Sequence, residues 1–185
     1  MRILQLHCDS IEYTPTKKEI RSAEDIDDPQ TQKLEELVVA FVAMEEGDDS
    51  SVAQNAISQI KNSMEKIGCK KLLLYPYAHL SSNLAKPSVA ISLLKEMEYG
   101  ASELEVSHSP FGWTKSYKLQ VKGHPLAESS KVITKDSDSG NSGELTSDAL
   151  KGESKIRSYW KIMSTDGTLT NIADFNFSKH KKLEI

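Results

Sequence analysis

The sequence predicts a mixed α/β (α+β) fold, and three observations carry that expectation. Residues 36–44, ELVVAFVAM, form a near-continuous apolar run, as in a strand buried on both faces. Residues 52–67 place Val52, Ala56, Ile60, Met64 and Ile67 at spacings of three and four, the stripe of an amphipathic helix. Several shorter apolar segments of strand length are separated by turn signals.

Taken in order, residues 2–7 read as the opening strand, and the polar, proline-containing residues 14–33 as a loop or extended arm. The run 36–44 is the second strand, and GDDSS then makes a turn. Ser50 or Ser51 is placed to cap the helix over 52–67, and Gly68 suits the left-handed residue after its end. Residues 70–75, KKLLLY, read as a short buried strand and 76–86 as an irregular loop. Pro87 opens a second helix, with Val89, Ala90, Leu93, Leu94 and Met97 as its apolar stripe. Residues 103–108 and 115–122 are two more strands around the turn SPFGW. Residues 135–154, rich in Ser, Gly, Asp and Lys, read as a flexible linker. Beyond it, Asp166-Gly167 sits between two short strand-like segments, a hairpin signal. Two such strands do not stabilise themselves in water, so this tail is expected to pack on something else.

The 185 residues suffice for one domain of ordinary size with an appendage. Hydrophobic residues at 38% and charged residues at 27% place the chain in the soluble globular class. No apolar run approaches the roughly 18 residues of a membrane helix, so no membrane partner is expected. The start, MRILQLHCDS, lacks the apolar stretch of a signal peptide. Two cysteines, Cys8 and Cys69, are too few for a disulfide framework, and a cytoplasmic protein with reduced thiols is the expectation. The net charge of −4 argues against non-specific nucleic-acid binding. Charge is uneven, however. Lysines 115, 118, 122, 131 and 135 face only Glu128 as an acid within residues 115–135, so this stretch is either a face for phosphates or a solvated strand surface.

Five histidines, His7, His79, His108, His124 and His180, form no metal-binding spacing, and neither metal nor cofactor is expected. Neither a GxSxG elbow nor a phosphate loop is present. Lys115 stands out. By period two it shares a face with Tyr117, Leu119 and Val121, and a lysine on an apolar face is costly. It either snorkels to water from the strand end or is a cation held in a cleft. His79 lies in the loop after a buried strand, where function often resides. Glu128 either pairs with Lys115 or is an ordinary first-turn helix acid.

Four segments, MRILQLHCDSIEY, ELVVAFVAME, YPYAHLSSNLAKPSVA and SPFGWTKSYKLQVKGHPLAES, closely resemble the N-terminal editing domain of archaeal threonyl-tRNA synthetases. They run in that family's order over residues 1–133. The resemblance implies a D-aminoacyl-tRNA deacylase-like fold: a β-barrel-like sheet with packed helices over residues 1–134, here with a linker over 135–154 and a hairpin-containing tail over 155–185. That tail would lead toward a synthetase catalytic domain, in cis or in trans. The implied activity is hydrolysis of the ester of Ser-tRNA(Thr), without metal or covalent intermediate. The implied partners are the tRNA acceptor end carrying serine and a second copy in a homodimer.

Carried over position by position, the family's active-site lysine, histidine and acid fall on Lys115, His79 and Glu128. Lys115 would activate or place the attacking water, with help from the free ribose hydroxyl, and the other two would organise the pocket. Met44, Ala78 and Phe111 fall on positions lining the pocket for the seryl-adenosine end. Two positions depart from the family pattern: Thr114 stands where a tyrosine precedes the lysine, so that tyrosine's task either passes to the shorter Thr114 hydroxyl or moves to Trp113 or Tyr117, and Met44 stands for a valine. A D-aminoacyl-tRNA deacylase is the first alternative, against which the absence of SQxT and GPxT signatures counts. A non-catalytic tRNA-binding appendage is the second.

Overall fold

The structure is a computed structural model that describes residues 1–27, 29–135 and 159–179. The chain divides into two compact units, Met1–Leu145 and Thr146–Ile185. The expected linker 135–154 lies outside the described residues except for Lys135.

The first unit is built on one long strand, β1 (Arg2–Lys18). It pairs antiparallel with β2 (Gln32–Ala43) on one side. Its other side is shared by β5 (Trp113–Val121) along the second half and β6 (Glu128–Val132) along the first. Strands β3 (Lys71–Pro76) and β4 (Glu105–His108) extend the sheet beyond β2 in parallel register. Parallel neighbours need crossover connections, and helices α1 (Ser50–Ile67) and α2 (Pro87–Gly100) supply them. The outcome is a mixed α/β half-barrel: a curled sheet with two helices.

Two apolar layers follow from strand alternation. Val38, Ala40, Val42, Leu72 and Leu74 face Ala56, Ile60, Leu94 and Met97 of the helices. Leu37, Val39, Phe41, Leu73 and Tyr75 form the opposite layer with Leu6, Cys8, Ile11 and Tyr13. Residues 37–44 are therefore buried from both faces, as their composition predicts, while Glu36 at the start of the run is exposed.

Three local expectations change. Residues 14–18 belong to β1, and Gln32 and Lys33 to β2, rather than to a loop. Buried positions run 3 and 5, then 6 and 8, then 11, 13 and 15, so the alternation slips phase. One slip coincides with a register shift between Cys8 and Ser10. Pro15 is tolerated because β2 pairing ends at Tyr13, leaving an edge where a missing N–H costs no ladder bond. The cap of α1 is Asp49, whose carboxylate accepts from the backbone N–H of Ser51 and Val52 at 3.1 and 3.3 Å, not Ser50 or Ser51. Gly68 does close the helix with φ 67°. Val89 is 40% exposed and leaves the apolar stripe of α2 to Ala90, Leu93, Leu94 and Met97.

In the second unit β7 (Lys161–Met163) and β8 (Leu169–Asn171) pair antiparallel. The turn at Asp166-Gly167, with Gly167 at φ 87°, is the hairpin the sequence predicts.

Candidate active site

The carboxyl ends of β2 and β3 open into a cleft of about 610 Å³, within the range of small-molecule sites, roughly 300–1,000 Å³. Ligands commonly bind beyond the carboxyl ends of parallel strands. Of the residues singled out in the sequence, Met44, Ala78, His79, Phe111, Trp113, Thr114 and Lys115 all line this cleft.

Lys115 enters from β5, on the face that Leu119 and Val121 bury against the core. Its Nζ donates to the carbonyl oxygens of Pro110 at 2.7 Å and Trp113 at 3.2 Å. It also lies over the Tyr75 ring, 4.8 Å from the centroid, a cation–π contact. Burial dominates its titration and pulls the amine down to about 8, against the opposing charge of Glu24. The cation therefore does not escape to water, and its charge can be lost near physiological pH.

The floor is aromatic. Tyr75 and Tyr77 meet edge to face, and Tyr117 leans on Tyr75. A hydrogen bond between Tyr77 and Tyr117 raises the Tyr117 phenol above its usual range. Both tyrosines line the cleft. The Thr114 hydroxyl, also at the cleft, donates to Glu19 Oε1 at 2.8 Å. His79 sits exposed in the short 3₁₀ turn Ala78–Leu80, edge-on to Tyr77 at 5.2 Å. Met44 is buried at the end of β2, and its carbonyl holds the Ala85 N–H at 2.9 Å.

Glu128 is not brought to this cleft within one chain. It begins β6 opposite Leu6, whereas Lys115 lies opposite Pro15. Nine residues of β1 separate those levels, about 30 Å at the rise of an extended strand. A direct pair between Glu128 and Lys115 in one chain is excluded, and Glu128 is a strand residue rather than a helix acid.

The lysines of 115–135 do not form a common face for phosphates. Lys118 pairs with Glu12 at 3.1 Å and Lys135 with Asp49 at 2.8 Å. Lys122 is held by Asp9 and Glu36. Lys131 is buried against α1, where its Nζ donates to Gln59 O and Ser63 Oγ, and burial pulls it down to about 8.

Sequence reasoning missed Glu24, which lies in the segment read as a loop or arm. Its carboxylate accepts from the Phe111 N–H at 2.6 Å and contacts His108 Nε2 at 3.0 Å. The other ring nitrogen of His108 contacts Glu98 Oε2 on α2, also at 3.0 Å. Burial alone would lower the His108 imidazole, but the hydrogen bonds and charges of Glu98 and Glu24 outweigh it and leave the group raised. Gly112, between Phe111 and Trp113, has φ 77°, and a Cβ there would stand 2.8 Å from Ala23 Cβ and Ile20 Cγ1. No local pattern in the sequence marks this contact between the arm and the turn at 109–112.

Among the described residues no group of three or more His, Cys, Asp or Glu gathers as a metal site, and no helix is long and apolar enough to cross a membrane.

The archaea-specific editing domain of threonyl-tRNA synthetase matches residues 1–133. The whole chain is 83% identical over 185 residues to a threonine--tRNA ligase of Nitrosopumilus maritimus, covering 30% of that protein. It is 52% identical over 185 residues to one of Cenarchaeum symbiosum, covering 29% of it. The chain thus spans about a third or less of the length of these relatives. Among solved structures it is similar to the c-Myc DNA Unwinding Element Binding Protein, with TM-score 0.52 and 7% identity over 71% of this chain and 98% of that one. This last likeness shows the fold alone, the curled sheet with two helices expected of a deacylase-like chain.

The His108 bridge carries a pH signature. A raised folded value means that its stabilisation is complete below the unfolded value, about 6.5, and is lost as pH rises through the folded value. Urea midpoints measured from pH 5.5 to 8.5 should fall across that window in the native chain. Glu98→Gln should be less stable at the acid end and flatter across the window, and parallel curves would contradict the bridge.

Proposed function

Since the chain belongs to the archaea-specific editing-domain family of threonyl-tRNA synthetase, a deacylase domain, we propose that it hydrolyses Ser-tRNA(Thr) and spares Thr-tRNA(Thr). The observation that carries this reading is the desolvated Lys115 amine, set in an aromatic-floored cleft that exposed His79 also lines.

The chemistry required is modest. A water oxygen attacks the ester carbonyl carbon, the bond to the terminal ribose oxygen breaks, and that oxygen takes a proton. An amine near 8 is matched to accepting or returning a proton at neutral pH. As a cation it stabilises the charge that develops on the carbonyl oxygen. The free ribose hydroxyl assists. His79 and the tyrosine hydroxyls of Tyr77 and Tyr117 organise the substrate end and the water.

Selectivity follows from size. A synthetic site built for threonine rejects serine by only about 1–3 kcal/mol, the value of one methylene. A second site can work in reverse, closing on the smaller side chain so that the extra methyl clashes. The buried Met44 and the Phe111 turn are the walls placed to do so. The tRNA acceptor end is the partner, and grip on the tRNA body falls to the synthetase portion lying in cis or in trans.

Glu128 takes part only if a second copy supplies it. This reading makes the active form a homodimer in which each cleft uses Lys115 of one chain and Glu128 of the other.

Incubation of the chain with Ser-tRNA(Thr), Thr-tRNA(Thr) and a D-aminoacyl-tRNA, following ester loss, tests the reaction. Rapid loss of the seryl ester alone is expected, and Lys115→Met should slow it by about a hundredfold or more, as for loss of a general base. Seryl ester surviving at its spontaneous rate in the native chain would end the hydrolase reading. Preferential loss of the D-aminoacyl ester would reassign the substrate.

A mixing experiment tests the dimer. Lys115→Met and Glu128→Ala chains, each impaired alone, should regain activity after subunit exchange, because one of the two clefts in the mixed dimer is intact. Absence of recovery in a verified mixed dimer would remove Glu128 from the site.

A further inference from the structure

Every polar group of Glu24 is engaged by residues 108–113. One carboxylate oxygen accepts from the Phe111 N–H at 2.6 Å, and the other contacts His108 Nε2 at 3.0 Å. Its backbone N–H donates to the Phe111 carbonyl at 3.1 Å. Its backbone carbonyl accepts from Trp113 Nε1 at 2.8 Å. The neighbouring Ala23 presses against Gly112, whose lack of a Cβ permits the approach. A half-buried carboxylate so fully committed to one turn is a clamp: charge-assisted bonds are short, directional and stronger than neutral ones.

The clamped turn is also what aims the lysine. Lys115 Nζ donates to Pro110 O and Trp113 O, the carbonyls that flank the Phe111-Gly112 step held by Glu24. If the turn shifts, both acceptors shift, and the amine moves over the Tyr75 ring with them.

We propose that Glu24 is a positioning residue for Lys115: it locks the turn whose carbonyls orient the amine, and its carboxylate acts on that amine as an opposite charge. The inference rests on the reading of the cleft as a deacylase site, but its geometric half stands apart from that reading. The other titratable groups lining the cleft with Lys115 are Glu19 from the segment after β1, Tyr75 from β3, Tyr77 just after it, His79 from the 3₁₀ turn and Tyr117 from β5 itself. His108 faces Glu24 on one side and Glu98 of α2 on the other.

The test uses the whole chain and two readouts. The first is acylation of the Lys115 amine by acetic anhydride as a function of pH, followed by mass spectrometry, which needs no turnover. The second is kcat and KM for seryl ester hydrolysis. In Glu24→Gln the labelling midpoint should fall below the native value near 8, because the opposing charge is gone. Its kcat should drop about tenfold to a hundredfold with KM changed less, as expected for a misplaced catalytic group. Glu24→Asp keeps the charge and shortens the reach, so its midpoint should stay native while kcat falls. Glu98→Gln removes the other carboxylate from His108 and should leave both midpoint and kcat native, whatever it does to stability.

A native midpoint and native kcat in folded Glu24→Gln would overturn the proposal. So would a fall in Glu98→Gln equal to that in Glu24→Gln, since the effect would then be general loosening. Should Glu24→Gln not fold, native kcat in Glu24→Asp would overturn the clamp and reduced kcat at a native midpoint would support it. If the native chain fails to hydrolyse the ester while the labelling midpoints behave as stated, the deacylase reading fails and the positioning of Lys115 stands.

Discussion

An ammonium group withdrawn from water must recover in local contacts what it loses in hydration. For Lys115 those contacts are two backbone carbonyls and the face of Tyr75, and among the described residues no carboxylate is bonded to the amine. Partial compensation is what leaves the amine near 8 rather than fully charged or expelled. Much of the first unit can be understood as the scaffold for that balance. The carbonyls come from a turn that reverses direction at a left-handed glycine, and the ring comes from a strand buried on both faces. The turn keeps its shape because the segment after β1 is laid across it.

Long β1 makes this possible. It runs from the helix-covered layer at Ile3 to the rim of the cleft at Lys18, and it exchanges partners from β6 to β5 on the way. A flat strand of that length could not serve both places. The phase slips near residues 5 and 9 turn successive sets of side chains inward as the sheet curls, as bulges do elsewhere. At the same level Glu36 in β2 takes a left-handed φ of 52°.

These same slips explain what was legible in the sequence. Elements with an uninterrupted period were readable: β2, both helices, and the inward face of β5 that singled out Lys115. The second half of β1 was not, because a strand whose alternation changes phase looks like a polar loop with a proline in it. Glu24 was hidden for a different reason, since its role arises from four contacts across about ninety residues of chain and from nothing in its neighbours. Lysines counted as one basic stretch proved to have separate fates, because alternation sends Lys131 under α1 and Lys118 to an exposed edge. Five of the six residues carried over by resemblance line one cleft, with Trp113 and Thr114 beside them. The sixth, Glu128, lies opposite Leu6 near the other end of β1, away from that cleft.

The proposed selectivity, a cleft that takes the seryl-adenosine end and shuts out the threonyl one, is open to direct measurement by binding. Seryl and threonyl 3′-amino-adenosine, with an unreactive amide in place of the ester, can be titrated into the ¹⁵N-labelled chain and followed residue by residue. Saturable shifts are expected at Ala78, His79, Phe111 and the residues around Lys115 with the seryl compound, and binding at least tenfold weaker with the threonyl one, the discrimination about 1.4 kcal/mol of clash would produce. Equal affinity for the two compounds, or shifts that leave those residues untouched, would contradict it.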